Sequence, residues 1–292
     1  MNNFCDLHTH SKLSDGSSTP EELIAEAVAL GLSAVALTDH NTMDGLPAFL
    51  AAAEGQNILA IPGVEFSVDY NGTELHLLGL FIEPAHFPAL REITRDYLQR
   101  KDESNRKLVA ALTRDGYVLD YEHIQAKSPN GNINRSHIAD ALLEKGYCKT
   151  KEAAFKEFLA KNGKYYREPT KPPVWDMLDF LTGIHAVPVL AHPFLNLDAE
   201  RLAEFLPKAK ARGLIGMEVR YTLFDDAETE LATRMARDFG LLPSGGSDYH
   251  GTRKNNTFLG VGSGNLRIPL QWALDLRNSV KKEEAWHICF KN

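Results

Sequence analysis

Apolar runs of strand length recur along this chain, and the residue that closes each one is repeatedly a histidine or a carboxylate. Phe4 to Leu7 leads into His8 and His10, Ala34 to Leu37 into Asp39 and His40, and Ile58 to Val64 into Glu65. Further on, Val187 to Ala191 ends at His192, Ile215 to Val219 carries Glu218, and Leu241 to Pro243 leads to Ser247-Asp248-Tyr249-His250. Helical patterns separate the runs. Thr19-Pro20-Glu21-Glu22 combines a capping box with proline at the first helical position, and the spacing of Leu23, Ile24, Ala27, Val28 and Leu30 predicts a helix ending at Gly31. Other helices are predicted around Leu46 to Ala53, Asp198 to Arg212 and Asp225 to Phe239. Asn71-Gly72 marks a tight hairpin before the strand Glu74 to Leu80, which carries His76. Strand and helix alternation of this kind builds βαβ units and a mostly parallel sheet. In parallel α/β folds and barrels the strand C-terminal ends form the face where ligands bind and chemistry occurs, so these polar residues should converge.

The alternation breaks after Pro84. From about Pro88 to Gly163 the spacing is helical, as in Leu90, Ile93, Tyr97, Leu108, Ala111 and Leu112, and the proline-bearing stretch Tyr165 to Val174 reads as a stiff connector that ends an insertion. Residues 1–86 and 164–292 are therefore assigned to the α/β body and 87–163 to a small helical insertion domain covering the site. A length of 292 residues accommodates one large core and such an appendage. The formal net charge of −7 argues against holding long nucleic acid mainly by charge, which requires many Lys and Arg at phosphates. Cys5, Cys148 and Cys289 lie far apart without a C-x-x-C pair, so neither a disulfide framework nor a zinc ribbon is indicated. With no basic and apolar leader at MNNFCDLHTH and no long apolar run, the expectation is a cytoplasmic protein with no membrane or protein partner.

Imidazoles mixed with carboxylates, and no thiolates, suit hard or borderline divalent ions such as manganese, iron or zinc. His8-x-His10 alternates along a strand, so both rings face one side and can reach one ion. Taken alone, that pair reads equally well as two surface histidines. Its company gives it weight, because Asp15, His40, Glu65, His76, His192, Asp248 and His250 all follow strand ends or lie on a strand.

The motifs D-L-H-x-H-S-x-x-S-D-G, L-T-D-H-N-T, G-V-E, H-x-L-G, A-H-P and G-S-D-Y-H, in this order, resemble those of the polymerase and histidinol phosphatase (PHP) superfamily of metal-dependent phosphoesterases. The likeness covers roughly residues 4 to 84 and 187 to 251. With the helical insertion and N-R-S-H at Asn134 to His137, the chain looks most like the branch containing nucleoside bisphosphate phosphatases, AMP phosphatases and a 5′ to 3′ exoribonuclease of short RNA. The resemblance implies a distorted (β/α)7 barrel with two or three divalent ions, manganese first, with iron, zinc or magnesium as alternatives. Carried over by position, His8, His10, Glu65 and Asp248 would hold one ion, Asp15, His40 and His250 a second, and Glu65, His76 and His192 a third. A metal-bound hydroxide held by Glu65, Asp248 and His192 would attack phosphorus, with Arg135 and His137 on the phosphate side. The implied activity is hydrolysis of a phosphate monoester of a small nucleotide, or trimming of short RNA from its 5′ end. Its rivals are a phosphatase of a metabolite such as histidinol phosphate, an amidohydrolase-type enzyme and a non-catalytic metal-stabilised binding module.

Arg135 and His137 sit at a predicted helix start, where a solvated terminus is the alternative reading. The loop Arg220-Tyr221-Thr222-Leu223-Phe224 departs from the small or Ser/His-rich loop of the family, so Arg220 would bind a second phosphate or pair with Glu218, itself read as an ordinary strand-end carboxylate. Asp39 would orient His40 or cap the next helix. Arg253, in the loop directly after His250, is a candidate for steering phosphate. Cys5 reads as a small buried apolar residue, and His86, His123, His185 and His287 as surface histidines.

Overall fold

A computed structural model describes residues 3–128 and 131–280, so His287 and Cys289 lie outside the described residues. The chain opens with β1 (Phe4–Asp6), α1 (Pro20–Ala29), β2 (Ala34–Leu37), α2 (Leu46–Ala53), β3 (Leu59–Tyr70) and β4 (Thr73–Leu80). Four helices follow: α3 (Phe87–Arg114), α4 (Tyr121–Ala126), α5 (Arg135–Glu144) and α6 (Lys151–Glu157). Alternation then resumes with α7 (Val174–Gly183), β5 (Val187–Leu190), α8 (Ala199–Ala211), β6 (Gly216–Tyr221), α9 (Asp226–Asp238), β7 (Leu242–Gly246), β8 (Ile268–Pro269) and α10 (Leu270–Ser279). Thr19 caps α1 through the expected capping box with Glu22.

The strands follow the order β7-β6-β5-β4-β3-β2-β1-β8 in one sheet. The sheet curls until β7 meets β1: Leu7 N donates to Gly245 O at 3.3 Å, Thr9 bridges Tyr249 in parallel, and Asp248 N donates to His8 O at 2.9 Å. The result is a nearly closed barrel, with β8 antiparallel to β1 beside the seam. A glycine makes that closure feasible, because a Cβ on Gly246 would lie 2.4 Å from the Cβ of His8. The distortion sits at β4, which runs antiparallel to both of its neighbours. Its hairpin with β3 turns at Asn71 and Gly72, both at positive φ (51° and 79°), as a two-residue hairpin turn matching the strand twist requires.

Side-chain alternation sorts the barrel core into two layers. Val35 and Leu37 pack with Leu23, Ile24 and Phe49 of the surrounding helices, whereas Ala34 and Ala36 belong with Cys5, Leu7, Ile61, Leu78 and Val189 inside. Helices α3 to α6 share a cluster of their own, built on Leu108, Leu112, Ile138, Leu142 and Leu159. Strand β3 and the connector before β5 differ from the sequence expectation, and β8 and α10 lie beyond its last strand. Strand β3 continues through Glu65 to Tyr70, because Phe66, Val68 and Tyr70 are buried and each residue pairs across to β4. The proline-rich connector ends in α7, whose Met177, Leu178 and Leu181 pack on the barrel.

Candidate active site

The strand ends deliver the expected residues to one point. Both oxygens of the Glu65 carboxylate are ringed by imidazoles: Oε1 lies 2.7 Å from His76 Nδ1 and 3.0 Å from His192 Nε2. Oε2 lies 3.0, 3.2 and 3.3 Å from His40 Nδ1, His10 Nε2 and His8 Nε2. The Asp248 Oδ1 atom stands 3.1 Å from His10 Nε2, and His250 Nε2 is 3.2 Å from Asp15 Oδ1. Three groups of ligand atoms, each within 4.8 Å, overlap here: His10, Asp15, His40 and His250; His8, His10 and Glu65; and His40, Glu65 and His76. His10 and His40 each belong to two groups, so the groups share members more than the partition implied by the motifs.

Burial alone would raise the pKa of Glu65, but His40, His76 and His8 outweigh it and hold the carboxyl well below the usual range. Asp15 and Asp248 behave alike; burial is opposed by His250 and His40 at Asp15, and by Lys254 and His250 at Asp248. Against burial, Glu65 and its neighbours raise His76 to about 10, and Glu65, Glu218 and Asp248 raise His8.

Residues behind the cluster fix its geometry. Glu218, fully buried, accepts from His8 Nδ1 at 3.0 Å through one oxygen and from the backbone N of His192 at 2.7 Å through the other. One carboxylate thus orients His8 with its Nε2 turned to the cluster and holds His192 at φ 28°, a strained conformation of the kind found at functional sites. Asp248, also at positive φ (54°), has its Oδ2 occupied by the Tyr221 hydroxyl at 2.8 Å and by Lys254, which leaves Oδ1 facing the histidines. Asp6 accepts from the backbone N of His8, Ser247 and Gly260 and from the Ser247 hydroxyl, tying the two ligand-bearing loops across the seam. The reading of Glu218 as an ordinary strand-end carboxylate is corrected by these contacts. Asp39 likewise neither orients His40 nor caps a helix; it accepts from Ser11 N, Ser11 Oγ and Ser14 Oγ and so shapes the loop after His10.

The donor set fits divalent cations. His8 Nε2 and His10 Nε2 face each other at 3.1 Å, and of the atoms turned to the cluster Glu65 Oε2, His40 Nδ1 and Asp15 Oδ1 are buried without an aligned hydrogen-bond partner. Buried polar atoms normally find partners, and donors crowded around carboxylates without alignment are what shared coordination would satisfy. The PHP domain family profile matches residues 6–168. The chain belongs to the PHP family. It is 32% identical over 249 residues to the 5′-3′ exoribonuclease Rnm of Salmonella typhimurium, covering 84% of each chain. It is 30% identical to a 3′,5′-nucleoside bisphosphate phosphatase of Chromobacterium violaceum, covering 84% of this chain and 86% of that one. A solved structure from Bifidobacterium adolescentis, named as a metal-dependent phosphoesterase, superposes with a TM-score of 0.84 at 26% identity, covering 95% of this chain and 96% of that one. This PHP protein is accordingly a hydrolase, a phosphoesterase dependent on divalent metal.

Around the PHP cluster, the four substrate candidates separate. Arg135, the first residue of α5, lines a cavity of about 180 Å³ with Asp15, His40, His76 and Lys101. Its guanidinium donates to Leu159 O at 3.0 Å and lies 4.9 Å from the Tyr166 ring centroid, so its direction is set. His137 is buried and serves the helix: its Nδ1 accepts from Asn134 N at 3.0 Å, and burial, then Arg253, lowers its pKa to about 4. The α5 start is therefore no solvated terminus. Arg220 is a correction, since the β6 irregularity turns it to Arg267 O at 2.7 Å and over Trp272, away from Glu218 and the histidines. Arg253 donates to Gly16 O at 3.1 Å and pairs with Asp140 of α5, joining a barrel loop to the helical segment. Lys101 was missed because it sits mid-helix in α3 without a motif; it lines the Arg135 cavity and bonds Asn134. His123 and His185 are exposed and His86 half-buried, as their surface reading requires, and Cys5 is buried, which pushes its thiol pKa up.

Proposed function

We propose that this PHP enzyme removes phosphate from a small nucleotide, such as a nucleoside 3′,5′-bisphosphate or AMP, or releases nucleotides from the 5′ end of short RNA. The observation carrying the reading is the Glu65 carboxylate ringed by five imidazoles beside a cavity that contains Arg135 and Lys101. The names of the two relatives support a phosphorylated nucleotide or RNA as substrate.

In this reading His8, His10, Asp15, His40, Glu65, His76, His192, Asp248 and His250 hold two or three ions, manganese first. Such ions, when bound, activate water and neutralise phosphoryl charge. The protein's own residues supply the rest. Glu65 keeps its negative charge at the centre of the cluster, and Glu218 keeps His8 in one tautomer and one orientation. Arg135 presents a guanidinium, already aligned by Leu159 O and Tyr166, to the equatorial oxygens as charge grows on them. The helical segment 87–163 supplies Lys101 and Arg135 to the cavity. Protein reconstituted with manganese is to be assayed for phosphate and nucleotide release from adenosine 3′,5′-bisphosphate, AMP, a 5′-phosphorylated oligonucleotide and histidinol phosphate. Release from the nucleotides is expected. Exclusive release from histidinol phosphate, or from none of the four with metal bound, would sink the reading.

A further inference from the structure

The cavity that holds Arg135 is too small for a nucleotide. Ligand pockets usually offer about 300–1,000 Å³, whereas this one offers about 180 Å³, room for a phosphoryl group and the atoms next to it. Beyond it lies a cleft of about 570 Å³ between α3 and the loop that follows His40. Asn41 and Lys101 line both spaces, so the two meet at these residues. A substrate whose phosphate lies beside His40 and Arg135 therefore has this cleft adjoining the part that does not react.

The lining of the cleft indicates what that part is. Away from Lys101 at the junction its charges are matched within the protein: Arg91 pairs with Asp44 at 3.1 Å, Arg95 with Glu92 at 2.7 Å, and Asp102 with Arg106, outside the cleft, at 2.8 Å. A run of phosphates would find no surplus of positive charge there. What remains is the amide of Gln99 and the hydroxyl of Thr42 beside the apolar Met43, Leu98 and Ile133, the Gln125 amide being held by Arg106 and Gly131 O. Apolar surface with a few hydrogen-bonding groups suits a flat, neutral heterocycle on a sugar.

We infer that this outer cleft binds the nucleoside body of the substrate, with Asn41 and Lys101 at the junction between sugar and phosphate. The inference rests on the nucleotide reading above and deepens it: the favoured substrate is of mononucleotide size, with one uncharged base in the cleft. Neither the barrel residues that hold metal nor Arg135 belongs to this cleft.

Gln99 is exposed on α3, so Gln99→Trp fills the cleft from a position where the fold tolerates bulk, and thermal unfolding checks that it does. The manganese-loaded wild type and Gln99→Trp are compared on adenosine 3′,5′-bisphosphate and on phenyl phosphate, which lacks a nucleoside. The ratio of kcat/KM for the bisphosphate to that for phenyl phosphate is expected to fall about tenfold, the worth of one good polar contact. An unchanged ratio overturns the cleft assignment while the phosphatase reading stands, because phosphate is still released. No release from the bisphosphate by the wild type is instead the failure of the nucleotide reading, and it removes this inference as well. Arg95→Glu tests the neutrality argument. It should leave the rate on the bisphosphate within about twofold of the rate on a 5′-phosphorylated oligonucleotide, relative to wild type. A loss of tenfold or more confined to the oligonucleotide would put phosphates in the cleft and overturn the nucleoside assignment.

Discussion

The barrel cluster and the helical wall opposite it hold their functional side chains in different ways. In the cluster three candidate ligands are held from behind by neighbouring side chains, His8 and His192 by Glu218 and Asp248 by Tyr221 and Lys254, and Asp6 ties the loops carrying His8 and Asp248. On the wall, Arg135 and Lys101 reach the cavity from α5 and α3, which pack on a separate apolar cluster, and Arg253 and Asp140 form one of the ties to the barrel. The contrast teaches a division of labour. Groups that must meet ions to within fractions of an ångström are built on a closed sheet, and groups that must meet a substrate stand on an element that can vary without disturbing them.

The sharpest test of that division is at its centre. Glu65→Gln removes the charge around which five imidazoles gather, and kcat/KM should fall by about three orders of magnitude, or about 4 kcal/mol of transition-state stabilisation. Elemental analysis should show metal content falling with it. Full metal content and activity in this variant would break the comparison outright.

Glu218→Gln comes next. A carboxylate can accept from both His8 Nδ1 and His192 N, whereas an amide of the same shape offers one acceptor and turns its NH2 toward the other donor. Metal affinity, measured by calorimetric titration, should weaken about 10–100-fold, the usual cost of losing a partner behind a metal-binding histidine. Arg135→Ala should behave in the opposite way. Metal affinity should stay at the wild-type value while KM rises and kcat/KM drops about tenfold, because the residue lines the cavity and bonds Leu159 O rather than a candidate ligand. If Arg135→Ala lost metal and Glu218→Gln did not, barrel and wall would have exchanged roles.

The same contrast explains what was legible in the sequence. Ligand chemistry restricts residue type, and strand ends restrict position, so His8, His10, His40, Glu65, His192 and Asp248 could be found from apolar runs and their closing residues. Glu218 had the right position but no motif, and only the fold reveals that His8 lies behind one of its oxygens and His192 behind the other. Arg220 had a suitable charge and a suitable loop, yet an irregularity in β6 after Glu218, invisible in sequence, turned it toward Trp272. Lys101 could not be singled out at all. It is one cation among many in the helical α3, and its place at the cavity depends on how that helix crosses the barrel mouth. The break in alternation after Pro84 was legible because period-two runs cease there, whereas α7 was hidden by the prolines just before it.

Lys101 also supplies the smallest effect, and it discriminates within the wall itself. Burial lowers its pKa, with Asp15 and Glu74 opposing the shift only in part, to about 8. The ammonium is the form that attracts phosphate, and with a lowered pKa that form is present below pH 8 and disappears as pH rises through it. KM for a nucleoside bisphosphate should therefore climb several-fold between about pH 7 and pH 9 in the wild type. Lys101→Arg keeps the positive charge over the same interval, so its profile should be flat apart from any change that metal and hydroxide impose on both proteins alike. The ratio of the two KM values at each pH cancels that shared part and isolates the lysine. A ratio constant from pH 7 to pH 9 would mean that Lys101 does not meet the phosphate, leaving Arg135 to carry the phosphate side of the wall.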